Sequence, residues 1–214
     1  EIVQSTGDLH ARRLGLIAGG HVELSSVNAF NESIAISAGG SNALTDANLT
    51  AQLNAIGGVE NGEVDGGLPQ SIAFLHQGTA IVQTVNSANL NSVSSSGTVA
   101  GLTSTSGSIF ASSVDAIEIN HDIVASATFG NPQVTVYVES GTFADPNINF
   151  NDSQIRVAGD QNLGIVNQSH TTATFFDTEG FVFRGTNELL LLNPDGSADQ
   201  RIVVEYANDG ETGY

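Results

Sequence analysis

The stretch that decides the fold runs from Leu14 to Gly40 and reads LGLIAGGHVELSSVNAFNESIAISAGG. Leu14, Leu16, Val22, Leu24, Ile34 and Ile36 alternate with small or polar residues. Successive side chains leave a strand on opposite sides, so this is the pattern of strands with one buried face. Ala18-Gly19-Gly20 returns twenty residues later as Ala38-Gly39-Gly40. Each copy follows a short alternating strand and precedes a turn. A fixed period near twenty with glycine at the corners is the pattern of a β-solenoid, in which each turn of chain stacks on the one before.

Composition supports an all-β chain. The 214 residues carry 23 acidic and 5 basic side chains, a net charge of −18, and only 13% are charged. Ser, Thr and Asn total 58 and Gly adds 24, which suits short strands joined by many turns. Hydrophobic residues make up 40%, enough apolar surface to offset chain entropy, so the charge does not imply disorder. The basic residues are all arginines, and none occurs between Arg13 and Arg156. That pattern excludes a basic footprint for nucleic acid or for anionic membrane surfaces. No apolar run approaches the roughly 18 residues that span a bilayer, so membrane insertion is not expected. With no Cys there is neither a disulfide scaffold nor a thiolate metal site.

Beyond the deciding stretch, Gly101 to Ala111 (GLTSTSGSIFA) has the same cadence, and Ser112-Ser113-Val114-Asp115-Ala116 echoes Ser25-Ser26-Val27-Asn28-Ala29. Over residues 9–40 and 97–125 the chain resembles the repeats of filamentous haemagglutinin-like exoproteins, which read as strand, Ala-Gly-Gly, strand. The resemblance implies a right-handed parallel β-helix and an adhesive, surface-exposed role. The start at Glu1 rather than Met is consistent with a removed export signal. An extracellular or cell-surface location follows as an expectation.

Residues 1–128 are therefore read as a solenoid-like region. It is interrupted by a short helix at 46–56, where Leu49, Leu53 and Ile56 fall at i, i+4 and i+7 with Thr45 or Asp46 as cap and Gly57 as stop. Residues 129–214 differ in character, and nine of the thirteen aromatics fall between Phe129 and Tyr206. Asn193-Pro194-Asp195-Gly196 is a strong turn signal between Leu189–Leu192 and Ile202–Tyr206. Those two strands are expected to form an antiparallel hairpin, as part of a C-terminal cap or a small sandwich. The alternative for the whole chain is a β-sandwich. A solenoid predicts parallel ladders across pairs such as Ile17 and Ile36, whereas a sandwich predicts hairpins throughout and pairing of the two termini. Ten turns of twenty residues would make a rod of about 50 Å at about 4.8 Å per strand.

Candidate chemistry is sparse. His121 and Asp122 are the nearest approach to a catalytic pair, but neighbours on a regular strand face opposite ways. His10, His21, His76 and His170 are isolated, without the spacing of a zinc pair. Glu60, Glu63 and Asp65 form an acidic loop of the kind that wraps calcium, although a solvated acidic turn is the preferred reading. Asp145, Asp152 and Asp160 could serve a glycoside hydrolase, yet their spacing is also that of turns between strands. Without lysine, the chain is poorly equipped to neutralise an acidic sugar. An enzyme is not expected, and a β-helix enzyme acting on polysaccharide is the third reading.

The first functional reading is a secreted, non-enzymatic structural or adhesive protein that forms or belongs to an extracellular fibre and holds host or matrix glycans. The second is a self-polymerising β-sandwich filament subunit, in which a terminal strand completes a neighbour's sheet. Ile2, Val3, Ile202, Val203, Val204 and Tyr206 are the candidate assembly residues, and neighbouring copies the candidate partners.

Overall fold

The structure is a computed structural model that describes residues 1–55, 69–86, 97–127 and 132–138, together with the backbone of the later strands named below. Alternating apolar residues form strands almost throughout. In chain order these are β1 (Ile2–Val3), β2 (His10–Ala18) and β3 (Val22–Ala38), then helix α1 (Ala47–Ala55). Next come β4 (Gln70–His76), β5 (Thr79–Val82), β6 (Val85–Asn86), β7 (Thr98–Val99), β8 (Leu102–Ser104), β9 (Ser108–Ser113), β10 (Ala116–Ile119) and β11 (Ile123–Ser126). The last are β12 (Gln133–Val138), β13 (Ile148–Asn151), β14 (Gln154–Ala158), β15 (Thr172–Phe176), β16 (Phe181–Arg184), β17 (Glu188–Leu192) and β18 (Ile202–Glu205).

The chain is all-β with parallel pairing. A first ladder links β1, the start of β3, β4, β9, β12, β15 and β18. A second links the start of β2, the middle of β3, β5, β10, β13 and β16. A third links Leu16–Ala18 of β2, Ile36–Ala38 of β3, β8, β11, β14 and β17. From β4 onward the chain visits the ladders in the same order, first, second, third, at every level. The one antiparallel pair of strands among the described residues is β6 with β7.

The twenty-residue period sets the register where it was read. Leu14 pairs with Ile34, Leu16 with Ile36, Ile17 with Ser37 and Ala18 with Ala38. Ile17 therefore faces Ser37, one position on from the expected Ile36. The Ala-Gly-Gly corners lie directly on one another: a Cβ added to Gly40 would stand 3.1 Å from the Gly20 Cα, and one on Gly39 3.1 Å from the Gly19 carbonyl oxygen. A side chain at either position would press on the backbone of the corner beside it. The period is not kept afterwards, and each ladder holds six or seven strands rather than ten. From Val22 the next partner on the first ladder is Ile72, because α1 and its flanking residues intervene.

Inward residues of all three ladders meet in one cluster that includes Leu24, Phe74, Ile34, Val82, Ile36, Leu102 and Val136. The predicted helix is present, and it covers the outer side of the first ladder. Leu49 packs with Ala73, Leu75 and Phe110, against Leu44, Leu53 and Tyr137. β6 and β7 cover the outer side of the third ladder, where Val85 and Val99 pack on Ala35. A Cβ on Gly15 would stand 3.1 Å from Val85, so small outward residues make room for this hairpin.

The expected C-terminal hairpin is not formed. β17 pairs with β14 and β18 with β15, both in parallel. A turn signal fixes a local reversal but not the partner of the next strand, which the ladder supplies. The first ladder also passes from β9 to β12 across the change in composition near residue 128.

Candidate functional site

The corner between the first and second ladders is lined by buried polar side chains. Asn28, His76 and Ser113 are successive partners there, each at most 1% exposed. Asn28 is fully satisfied: its Oδ1 accepts from the Leu9 N–H and from Gln4 Nε2, both at 2.8 Å, and its Nδ2 donates to Gln4 Oε1 and to the Ser26 carbonyl. Gln4 thus ties the first level to the second. The Ser113 hydroxyl donates to the Gly78 carbonyl.

His76 Nε2 accepts the Phe30 N–H at 2.8 Å, which requires a free lone pair and places the ring proton on Nδ1. Nδ1 has no hydrogen-bond partner. Burial holds the imidazole below its usual value of 6.5, and the Gly78 carbonyl and the Asp115 carboxylate oppose this without reversing it. His76, Ser113 and Asp115 assemble the residue types of a nucleophilic triad, but the acceptor nitrogen is committed to Phe30 and the hydroxyl to Gly78. The arrangement is a structural lock rather than a nucleophile and its base.

The sign of its pH dependence follows. Because the folded value is depressed, the unfolded chain binds the proton before the native chain does as pH falls through 6.5. Stability contributed by neutral His76 is present above that pH and is lost below it. Glu32, lowered from 4.5 by its hydrogen bonds to Arg12 and Arg13, acts only at more acidic pH. The urea midpoint is expected to drop between pH 7.5 and 5.5, and the drop is expected to shrink in His76→Gln, whose amide oxygen can still accept from Phe30. An equal drop in both proteins would remove His76 as the cause.

A second buried polar group fixes α1. Glu23 points outward between Val22 and Leu24, yet it is only 1% exposed. Its carboxylate accepts from the Thr45 N–H at 3.0 Å, the Thr45 hydroxyl at 2.7 Å and the Asp46 N–H at 2.6 Å. Asp46 then caps the helix, taking the Asn48 and Leu49 N–H groups on Oδ1. Charge-assisted bonds beside a helix N-terminus offset the burial of the carboxylate. Glu23→Gln turns two acceptor oxygens into one and faces an NH2 against donors. It is expected to cost about 2 kcal/mol in urea unfolding and to speed amide exchange at Asn48 and Leu49.

On the outer surface Arg12 and Arg13 both bind Glu32, Arg13 Nε lying 2.7 Å from Oε2. A break in register between Ala11 and Arg13 accompanies this pair.

The residues singled out from sequence are placed as follows. Ile2 and Val3 pair with Val22 and Glu23. Ile202, Val203 and Val204 pair with Ala173, Thr174 and Phe175. These sets stand at the two ends of the same ladder. Tyr206, the acidic loop Glu60, Glu63 and Asp65, the three C-terminal aspartates and His170 lie outside the described residues. His121 and Asp122 sit at the corner between β10 and β11, not within a strand, and His121 Nδ1 accepts the Asp122 N–H at 2.8 Å. His21 is buried, 4.0 Å from the Glu1 carboxylate. Among the described residues no group of three or more His, Asp or Glu could hold a metal ion, and no helix is long and apolar enough to cross a membrane.

Sequence reading missed Glu23 and His76 as determinants. Alternation places Glu23 on the outer side, and nothing local announces the helix that covers it. The one signal for His76 was its place at the end of an apolar strand, SIAFLH. The chain matches no protein-family model, no curated protein and no solved structure.

Proposed function

We propose that the chain is a right-handed parallel β-solenoid that serves as a non-enzymatic structural and adhesive element outside the cell. The observation that carries this reading is the set of three parallel ladders, visited in constant order and sharing one aliphatic core. Right-handedness follows from the strong bias of parallel crossovers. Such an architecture spends its apolar residues on the interior and leaves extended faces for contact. The outer positions that α1 and the β6–β7 hairpin do not cover include the small or polar Ser37, Thr79, Thr103 and Glu118, with the exposed Ile17 on the same row as Ser37 and Thr103. Extended rows of small and polar side chains broken by an apolar one suit glycan rings and hydroxyls and repeated weak contacts better than a deep substrate pocket.

The haemagglutinin-like cadence of residues 9–40 and 97–125 points to the same role. Its two arms occupy equivalent places: Ala18, Ala38 and Ser104 are successive partners just before the corner that leads back to the first ladder. The test is binding of the purified chain to arrayed host and matrix glycans, with polysaccharide breakdown measured in parallel. Retention of glycans without release of sugar is the expected result. Turnover of any polysaccharide would replace the adhesive reading with the enzymatic one.

A further inference from the structure

The two ends of the first ladder carry the same dipeptide at the same register position. Ile2-Val3 opens the ladder and Ile202-Val203 stands at its other end. Followed from strand to strand, the position of Ile2 passes through Val22, Ile72, Ile109 and Val134 to Ala173 and then Ile202, and that of Val3 through Glu23 to Thr174 and Val203.

The strand counts are unequal. The first ladder has seven strands, whereas the second and third have six each. A second copy advanced along the ladders, with its β2 added to β16 and β17, would bring its β1 onto the place that β18 already holds. One strand must yield. β1 is held by two pairs and β18 by four.

The receiving edge is also the apolar end of the described molecule. Val3, Leu9 and Ile17 are the exposed large hydrophobics among the described residues, at 42%, 42% and 67%, and all belong to the first level. Ile2, Leu14 and Leu16 face the core but are only partly buried. Among the described residues, the outer edge of β2 pairs with nothing. An unpaired edge with apolar side chains is a template for strand addition.

We propose that a second copy of this chain docks on that edge, with β18 of one copy taking the place of β1 in the next. This rests on the solenoid reading. Ile202 would then pair with Val22, Val203 with Glu23 and Val204 with Leu24 of the neighbour. The displaced Ile2-Val3 leaves an equivalent Ile-Val pair in its position, so the core contact at Val22 is conserved while the second and third ladders continue across the junction.

The chain has no cysteine, so introduced thiols report without background. In the exchanged register Glu205 falls beside Ser25 of the next copy, one residue beyond the Val204–Leu24 pair. Within one copy those positions are five levels apart, roughly 24 Å at about 4.8 Å per level, too far for a disulfide. Oxidised Ser25→Cys/Glu205→Cys protein is expected to run as a multimer series on non-reducing gels. Deleting residues 202–214 is expected to abolish association in light scattering, and deleting residues 1–3 to leave it intact or strengthen it. Monomer alone from the double cysteine protein, or unchanged association after loss of residues 202–214, would overturn the exchange. Ile17→Cys/Ser37→Cys separates the two levels of inference. Its intrachain disulfide, formed in a protein that stays monomeric, refutes the exchange alone, and its failure to form refutes the solenoid reading beneath it.

Discussion

Gly101→Ala is expected to destabilise the chain by about 3 kcal/mol or more, among the largest losses available from adding one methyl group. Gly101 adopts φ +58°, where a side chain is strained by its own backbone. Its surroundings compound the strain. A Cβ there would lie 2.0 Å from the Asp122 carbonyl oxygen, a backbone atom one level along the third ladder. That carbonyl accepts the Leu102 N–H at 3.1 Å, so moving it breaks a bond between levels. The Gly101 carbonyl in turn accepts from Ile36 at 2.9 Å, which links a third level to the same point. Gly19→Ala is the control, since nothing lies within 4 Å of its added methyl and no positive φ is involved. Urea unfolding of the two variants is expected to separate them widely. Near-equal midpoints would show that the contact at Asp122 is not as close as described.

Phe74→Ala is expected to cost about 3–5 kcal/mol, as for other fully buried aromatic side chains. Phe74 is 0% exposed and stands on the first ladder between Leu24 and Ala111. The small Ala111 beside it makes room for the ring, so removal leaves a void lined by groups with no other means of filling it. Along the first ladder β4 pairs with β3 and β9, and β9 with β12, so damage at Phe74 reaches its direct neighbours first. Amide exchange is therefore expected to rise most in β3, β4 and β9, and less in β12. A loss below about 1.5 kcal/mol would mean that Phe74 is less enclosed than its burial indicates.

How far the sequence discloses this structure differs from element to element. The alternation of Leu14, Leu16, Ile34 and Ile36 and the repeated Ala-Gly-Gly disclose strand faces and register, because both are local consequences of a period of two and a fixed turn length. Asp46 discloses the helix start, and Leu49 its buried face. The burial of Glu23 is not legible, because it depends on donors from Thr45 and Asp46, more than twenty residues away. His76 reads as an isolated histidine because its partner, the Phe30 N–H, is forty-six residues distant. The long spacing from Val22 to Ile72 hides the repeat, since an inserted helix breaks the period without breaking the ladder. At the C-terminal end, turn chemistry at Asn193–Gly196 suggests a hairpin, but pairing to β14 and β15 decides otherwise. The candidate site is less legible than the fold for the same reason: its hydrogen bonds join levels, and only the register brings their partners together.

The most direct test of the stacked parallel arrangement is a set of interstrand proton contacts measured by NMR on the isotope-labelled chain. Parallel pairing predicts amide-to-Hα contacts that step along the third ladder from Leu16 to Ile36, Ile36 to Leu102 and Leu102 to Ile123, with no close Hα–Hα contacts between these strands. Close Hα–Hα contacts between β2 and β3, or between β8 and β11, would mark antiparallel pairs and contradict it.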